Sequence, residues 1–344
     1  MFSTSPSGVR PASNRIRVSR PASVTVTTLV DNVTDSLMAD QGPAARPGTA
    51  DGPRVPVALF LGGDTDDALR AEHGFAALVT VRDGDRETRV LFDAGRTPDG
   101  LVENMRRLAI DPADIDVIVL SHGHWDHVTG MDGLVGRLGR ANVPVLIHPE
   151  FWSRRRIAFP GREPLELPTA SAPALRGAGF EIVEDRRPSF LLDGALLVTG
   201  EVDRTTAFEH GFPGHEAHRD GGWEPDPLIL DDQALVAHVR GRGLVVLTGC
   251  GHAGVVNILR HARALTGEDR IHAVIGGFHL SGRAFEPVIA PTCDALEAMA
   301  PDHLVPAHCT GWRAQHVLAA RFPDAFIPNC VGTRYTFAGI PPAG

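Results

Sequence analysis

The chain has 344 residues, 43% of them hydrophobic, and a formal net charge of −9, enough apolar material for one large domain or two modest ones. No apolar run approaches the ~18–20 residues of a membrane span, and the acidic balance carries no nucleic-acid footprint. All 33 basic residues are arginine, which excludes Schiff-base lysine chemistry and a Gly-Lys-Ser phosphate loop.

Residues 1–22 are rich in Ser, Pro and Arg without one acidic residue, the composition of a disordered tail, although a transit peptide would look similar. Ser23–Val30 alternates β-branched residues and reads as the first strand. Residues 39–56 carry many Gly, Pro and Ala and read as a flexible insertion. Phe75–Val81 and Arg89–Phe92 form a strand pair around Asp83-Gly84-Asp85, and Asp93-Ala94-Gly95 ends the second. Leu101–Leu108 has helical spacing.

Ile115–Leu120 alternates as a buried strand and breaks into Ser121-His122-Gly123-His124-Trp125-Asp126-His127. Three imidazoles and a carboxylate at a strand end can be aimed at one point, and borderline-soft divalent ions prefer such donors. Ordinary polar loops rarely carry this pattern, so the stretch reads as a metal site. His122 and His124 can converge on one ion while Asp126 and His127 serve a second.

Downstream, Gly130–Leu138 reads as a short helix and Val143–Ile147 as a strand. The Arg- and Pro-dense stretch 152–173 reads as an excursion over the site rim. Its Arg154, Arg155 and Arg156 either steer an anionic substrate or form a solvated face. Strands follow at Phe180–Val183 and Ala195–Val198. Residues 204–227 show no clear periodicity and read as a long loop or lid. Beyond it come strands at Ala234–Val239, Leu244–Thr248, Ala273–Ile275 and Leu304–Val305, with helices at Val255–Leu265, Ala290–Met299 and Gln315–Ala320. Strands first, then strand–helix alternation with His-bearing loops at strand ends, imply a single α/β (α+β) domain over 23–340. Two sheets would lie between helices, αββα, with the metal site at one edge.

Three further strand ends carry matching chemistry. Thr248-Gly249-Cys250-Gly251-His252 presents a thiol, which reads either as a thiolate ligand or as a buried structural cysteine, and an imidazole between glycines. Gly276-Gly277-Phe278-His279 presents His279, a catalytic or substrate-binding imidazole or a further ligand. Pro306-Ala307-His308-Cys309 presents His308. The four cysteines form no Cys-x-x-Cys pair, and with no secretory apolar segment the expected location is cytoplasmic.

The Ser121–His127 stretch resembles the signature of the metallo-β-lactamase superfamily. The chain is similar to the branch that contains 7,8-dihydropterin-6-methyl-4-(β-D-ribofuranosyl)aminobenzene-5′-phosphate synthase. The similarity runs in order through Leu29–Asn32, Glu72–Phe75, Leu91–Gly95, Ser121–His127, Thr199–Arg204, Asp231–Leu235, Thr248–Gly254, Gly276–Leu280 and Pro306–Gly311. It implies two divalent cations, zinc first, with iron or manganese as alternatives. The metal ligands would be His122, His124, Asp126, His127, Cys250, His252 and His308. Cys250 takes the place where the superfamily usually has aspartate; His252 completes the first site, and His308 arrives last in the second.

Asp126 is suited to hold both metal and nucleophile, so Asp126 and His279 are the catalytic candidates. Asp93 is a candidate to orient a ligand imidazole, and Asp231 and Asp232 either support ligands or form a turn. Glu201 and Arg204 form a rim ion pair, or Arg204 clamps a phosphate; Phe212 and Trp223 can stack on a planar ring. The leading expectation is a binuclear metallohydrolase acting on a small phosphorylated or heterocyclic metabolite. The alternatives are a pterin-condensing synthase and a non-hydrolytic metal-binding redox or sensor module. Small-molecule substrate, no nucleic acid and no membrane partner are expected, with room for a homodimer.

Overall fold

The computed structural model describes residues 18–48 and 52–341. One sheet has eight strands in the order Glu181–Glu184, Pro144–Ile147, Val117–Val119, Arg86–Phe92, Ala76–Asp83, Ser23–Val30, Arg334–Ala338 and Ala44–Ala45. A six-stranded sheet runs Ser189–Leu191, Leu196–Val198, Leu235–Val239, Gly243–Thr248, Ile271–Gly277 and His303–Ala307. Each mixes antiparallel pairs with a parallel run, 86–92 through 181–184 in the first and 243–248 through 303–307 in the second.

The two sheets meet through their alternate side chains. Val24, Val26, Val79 and Phe92 from the first interlock with Leu196, Leu235, Leu247 and Ile275 from the second, because residues two apart on a strand share a face. The outer face of the first sheet buries against the helices Gly100–Arg107 and Met131–Leu138 through Leu101, Met105 and Leu134. The outer face of the second buries against Val255–Thr266, Ile289–Met299 and Trp312–Arg321 through Ile258, Leu296 and Leu318. This is the αββα sandwich expected from the alternation of elements.

Parallel strands need return crossovers, and the crossovers put all their carboxyl ends on one edge. The segments after Phe92, Val119, Thr248, Gly277 and Ala307 therefore emerge together, joined by the end of Ser23–Val30. A register shift between Thr28 and Val30 re-aims that last strand end as a bulge does.

Several expectations change. Residues 1–17 of the proposed tail lie outside the described residues, but 18–22 pack on the sandwich: Val18 is buried, Ser19 N donates to Gly194 O at 2.8 Å and Ala22 N to Arg82 O at 3.0 Å. Within 39–56, Ala44–Ala45 pairs with Tyr335 and Arg334, and Arg54–Pro56 pairs with Asp64–Asp66. The lid at 204–227 is in good part a hairpin, His215–Arg219 with Gly222–Pro225, in a small sheet with Arg155–Ile157 and Leu165–Glu166. Its strands read His-Glu-Ala-His-Arg and Gly-Trp-Glu-Pro, so the period of two is carried by polar residues and escapes a hydrophobicity reading. The strand Arg334–Ala338, which closes the large sheet against Ser23–Val30, is an addition to the sequence reading.

Phe92 is fully buried between the sheets and directly precedes Asp93. Phe92→Ala is expected to cost ~3–5 kcal/mol of folding free energy, measured by denaturant unfolding. A loss within the range of surface substitutions would contradict the packing described.

Candidate metal centre

The site is assembled from strand ends, and its anchor is Asp93. This residue takes a left-handed backbone conformation at φ 59°, which turns its carboxylate across the end of the neighbouring strand. Oδ1 accepts from Ser121 N at 2.7 Å, and Oδ2 accepts from Ser121 Oγ at 2.8 Å and pairs with His127 Nδ1 at 2.7 Å. Ser121 Oγ in turn lies 2.9 Å from His122 Nδ1. With the hydroxyl proton on Asp93, His122 Nδ1 donates to Ser121, and the Nε2 atoms of His122 and His127 are left facing inward. A Cβ at Gly249 would run into Ser121 Oγ, so only glycine lets the Cys250 strand end approach this loop.

Two groups of donors face one another across Cys250. On one side His122 Nε2 lies 3.0 Å from His124 Nδ1, which lies 3.2 Å from His252 Nε2; the donor atoms of His122, Cys250 and His252 fall within 4.8 Å of one another. On the other side are Asp126, His127 and His308, again with Cys250. There His127 Nε2 is 3.1 Å from Cys250 Sγ, and His308 Nε2 is 3.4 Å from Asp126 Oδ2. The seven sequence-expected ligands are thus all brought together, buried.

The donor set fits divalent cations. Bonds of ~2.0–2.3 Å to nitrogen, oxygen and sulfur place adjacent ligand atoms roughly 3–3.5 Å apart, the range of the separations above. His308 Nε2 is buried without a hydrogen-bond partner, a state that is costly unless another group satisfies it. Burial, then the charges of neighbouring imidazoles, holds His122, His124 and His252 well below the usual histidine range, so their ring lone pairs are available at neutral pH. Burial raises the Asp126 carboxyl, but the His127 and His308 imidazoles outweigh it and hold it well below the usual carboxylate range.

The surrounding contacts fix these rings. His308 N donates to Asp31 Oδ1 at 2.8 Å and its carbonyl accepts from Asn32 Nδ2 at 3.0 Å. Asp231 accepts from Gly123 N at 2.8 Å and pairs with the buried Arg155. Asp232 accepts from Ala253 N at 2.9 Å, and burial pushes its carboxyl up to about 6. Asp93 and Asp232 therefore stand where a support for ligand residues was expected.

The substrate candidates divide. Phe212 lies over the site, its ring centroid 5.4 Å from His279 and 6.3 Å from His252. His279 adjoins Phe285 at 4.4 Å and lines a cavity with Phe208, Phe212's neighbour Gly211, His252 and Leu280. Trp223 does not reach the centre. It pairs across the hairpin with His218, on the face opposite His215, and lies under the Arg156 guanidinium at 4.5 Å. The expected Glu201–Arg204 pair is not made. Glu201 pairs with Arg186 at 2.9 Å, while Arg204 donates to His252 O at 3.1 Å and Leu228 O at 2.6 Å, which takes it away from any phosphate. The three arginines are each paired with carboxylates: Arg154 with Glu166, Arg155 with Asp231 and Asp226, and Arg156 with Glu216.

One imidazole escaped the sequence reading. His215 Nε2 lies 2.9 Å from His124 Nε2, and His215 Nδ1 lies 3.2 Å from Asp226 O. If Nδ1 of His124 faces a cation, its Nε2–H donates to His215, whose own Nδ1–H donates to Asp226 O. His73, whose Nε2 is 3.8 Å from Asp126 Oδ2, is a second addition; it was visible only as part of the Glu72–Phe75 similarity.

A strand-built sandwich with imidazole, carboxylate and thiolate donors gathered at one edge defines a metal-binding enzyme fold. A metallo-beta-lactamase superfamily model matches residues 70–265, and the chain belongs to that superfamily. It is 28% identical over 230 residues, 65% of this chain and 76% of the relative, to the 7,8-dihydropterin-6-methyl-4-(beta-D-ribofuranosyl)-aminobenzene-5'-phosphate synthase of Methanocaldococcus jannaschii. An uncharacterized protein of the same organism is 30% identical over 215 residues, 62% of this chain and 76% of that one. The crystal structure of Tm1679, described as a metal-dependent hydrolase of the beta-lactamase superfamily, shares the fold with a TM-score of 0.65 and 24% identity, covering 92% of this chain and 99% of that one.

Two outcomes follow. In the cation-free protein, burial lowers the His127 imidazole, but Asp93 and Asp126 overcome this and raise it from 6.5 to about 9. A histidine raised on folding stabilises the fold fully below its ordinary value, and that contribution is lost as pH rises through the raised one. The thermal midpoint of the cation-free protein should therefore fall between pH 6.5 and about 9, and the fall should shrink in Asp93→Asn; equal slopes would remove Asp93 as its cause. His215→Ala should weaken cation binding about 10–100-fold in a competition titration against a chromophoric chelator, with unchanged affinity as the contrary result.

Proposed function

We propose that the protein is a hydrolase that uses two divalent cations, zinc first, on a small heterocyclic or phosphorylated metabolite. The observation that carries this reading is the pair of donor groups, His122/His124/His252 and Asp126/His127/His308, hinged on Cys250. Divalent cations held there would supply a water that ionises near neutral pH and a positive charge for the oxygen bonded to the substrate's electrophilic carbon or phosphorus.

The chain's own residues supply the rest. The Asp126 carboxylate stays ionised beside His127 and His308 and can accept the proton that an attacking water releases. His279 lines the cavity, where its imidazole can donate to a substrate oxygen or leaving group. Phe212 and Phe285, 5.3 Å apart and edge to face, offer an apolar wall that excludes water and accepts a flat ring.

A second reading, condensation of a pterin with a ribosyl-aminobenzene phosphate, is supported by the 28% identity to the synthase and by the same aromatic wall. A cytoplasmic location is part of the proposal. Cys250, Cys293, Cys309 and Cys330 are free thiols, the state that a reducing compartment maintains, and no helix among the described residues is long and apolar enough to cross a membrane.

The test joins elemental analysis to a substrate screen. Protein purified without added metal should hold about two equivalents, fewer in Asp126→Ala and in Cys250→Ser. The loaded wild type should hydrolyse members of a lactone and phosphoester panel, and Asp126→Asn should lower that rate about 10²–10⁴-fold. Metal without hydrolysis, but with condensation of the two pterin precursors, would establish the second reading instead. No bound metal after reconstitution would refute both.

A further inference from the structure

The strands Gly243–Thr248, Ile271–Gly277 and His303–Ala307 run parallel and adjacent, so the residues just past them arrive at one place. The two donor groups already described use Cys250, His252 and His308. They leave over Cys309 and His279. Cys250 Sγ, Cys309 Sγ and one ring nitrogen of His279 lie within 4.8 Å of one another.

Three features hold this trio. Gly277 lets the strand ends meet: a Cβ there would stand 2.5 Å from Gly249 O, 2.7 Å from Cys309 Sγ and 3.1 Å from Cys250 Cα, closer than packed atoms tolerate. Two threonines tie the strand ends, Thr248 Oγ1 donating to Gly277 O at 2.7 Å, and Thr310 Oγ1 accepting from Phe278 N at 3.1 Å and donating to Ala307 O at 2.7 Å. His279 is held in the left-handed region at φ 45°, where a non-glycine residue is strained unless its surroundings impose it. Its Nδ1 is buried and without a partner.

Cys309 also donates its S–H to Cys250 O at 3.3 Å. That accounts for a quiet buried thiol, but not for the strained backbone of His279 or its bare nitrogen. Two sulfurs and an imidazole form a softer donor set than either of the other groups.

We infer that Cys309, Cys250 and His279 form a third donor group, on the cavity side of the centre, that binds a thiophilic divalent cation and shares Cys250 with the other two. The centre then has a sulfur-rich pole facing the cavity and an imidazole- and carboxylate-rich pole behind it. The inference goes beyond the hydrolase reading, which needs neither Cys309 nor a cation next to His279.

Cadmium is the probe. One equivalent added to reduced, metal-free wild type should enter the two-thiol group, and X-ray absorption should show two sulfur neighbours per cadmium. This measurement depends on no variant folding. At saturation four cadmium–sulfur contacts are expected, three to Cys250 and one to Cys309, so Cys309→Ser should lose about a quarter to a half of the sulfur-to-cadmium charge-transfer absorbance while still binding cadmium through the imidazoles. One or no sulfur neighbour in the wild type, or undiminished absorbance in the folded variant, overturns the inference and leaves Cys309 as a donor to Cys250 O. Absence of any cadmium binding would overturn the metal reading of the whole site, a distinct result.

Discussion

The centre depends on one buried carboxylate. Asp93 carries no intrinsic reactivity where it stands, yet it grips the backbone and hydroxyl of Ser121 and the ring of His127 at once. A hydrogen bond to a charged acceptor is stronger than a neutral one, and Asp93, Ser121 and His127 are all fully buried, where such bonds are strongest. The left-handed turn at Asp93 makes the grip sterically feasible. The parallel strand Val117–Val119 lies beside Arg86–Phe92, so the loop carrying His122, His124, Asp126 and His127 starts from a fixed point. Everything else in the site is positioned relative to that loop.

A second, independent brace comes from outside the sandwich. Arg155, on a three-residue strand of the small sheet, pairs with Asp231, which also accepts from Gly123 N. The hairpin beside it sends His215 to His124 from the same direction. Buried ion pairs of this kind add little to net stability, because desolvation offsets most of the attraction; what this pair supplies is register between the small sheet and the metal loop. Phe212, just before the hairpin, packs its ring beside those of His252 and His279.

Most of the sandwich was legible because its strands are apolar and end in Gly, Asp or His; Ser23–Val30 and Leu235–Val239 sit within a residue of where alternation puts them. The candidate donors were legible because each follows such a strand. Cys250 and His308 needed the family's ligand order as well, since a single thiol or imidazole at a strand end has many explanations. What escaped was of two kinds. The hairpin 215–225 has its period written in polar residues, and Trp223 was misread because its face depends on the pairing with His218, which the sequence does not display. Arg204 and Glu201 look like partners by spacing, but their nearest acceptors and donors come from residues 186, 228 and 252, contacts that exist only once the chain is folded.

The strand Ser23–Val30 pairs with Arg334–Ala338, and just past it Asp31 and Asn32 hold the backbone of His308. The beginning and end of the domain therefore meet at the centre itself. During synthesis Asn32 is made 276 residues before the His308 that it braces. Closing so long a loop is slow and late. Cations that reach the polypeptide before that closure encounter separated histidines and cysteines, and the full donor set exists only once the two ends of that loop have met.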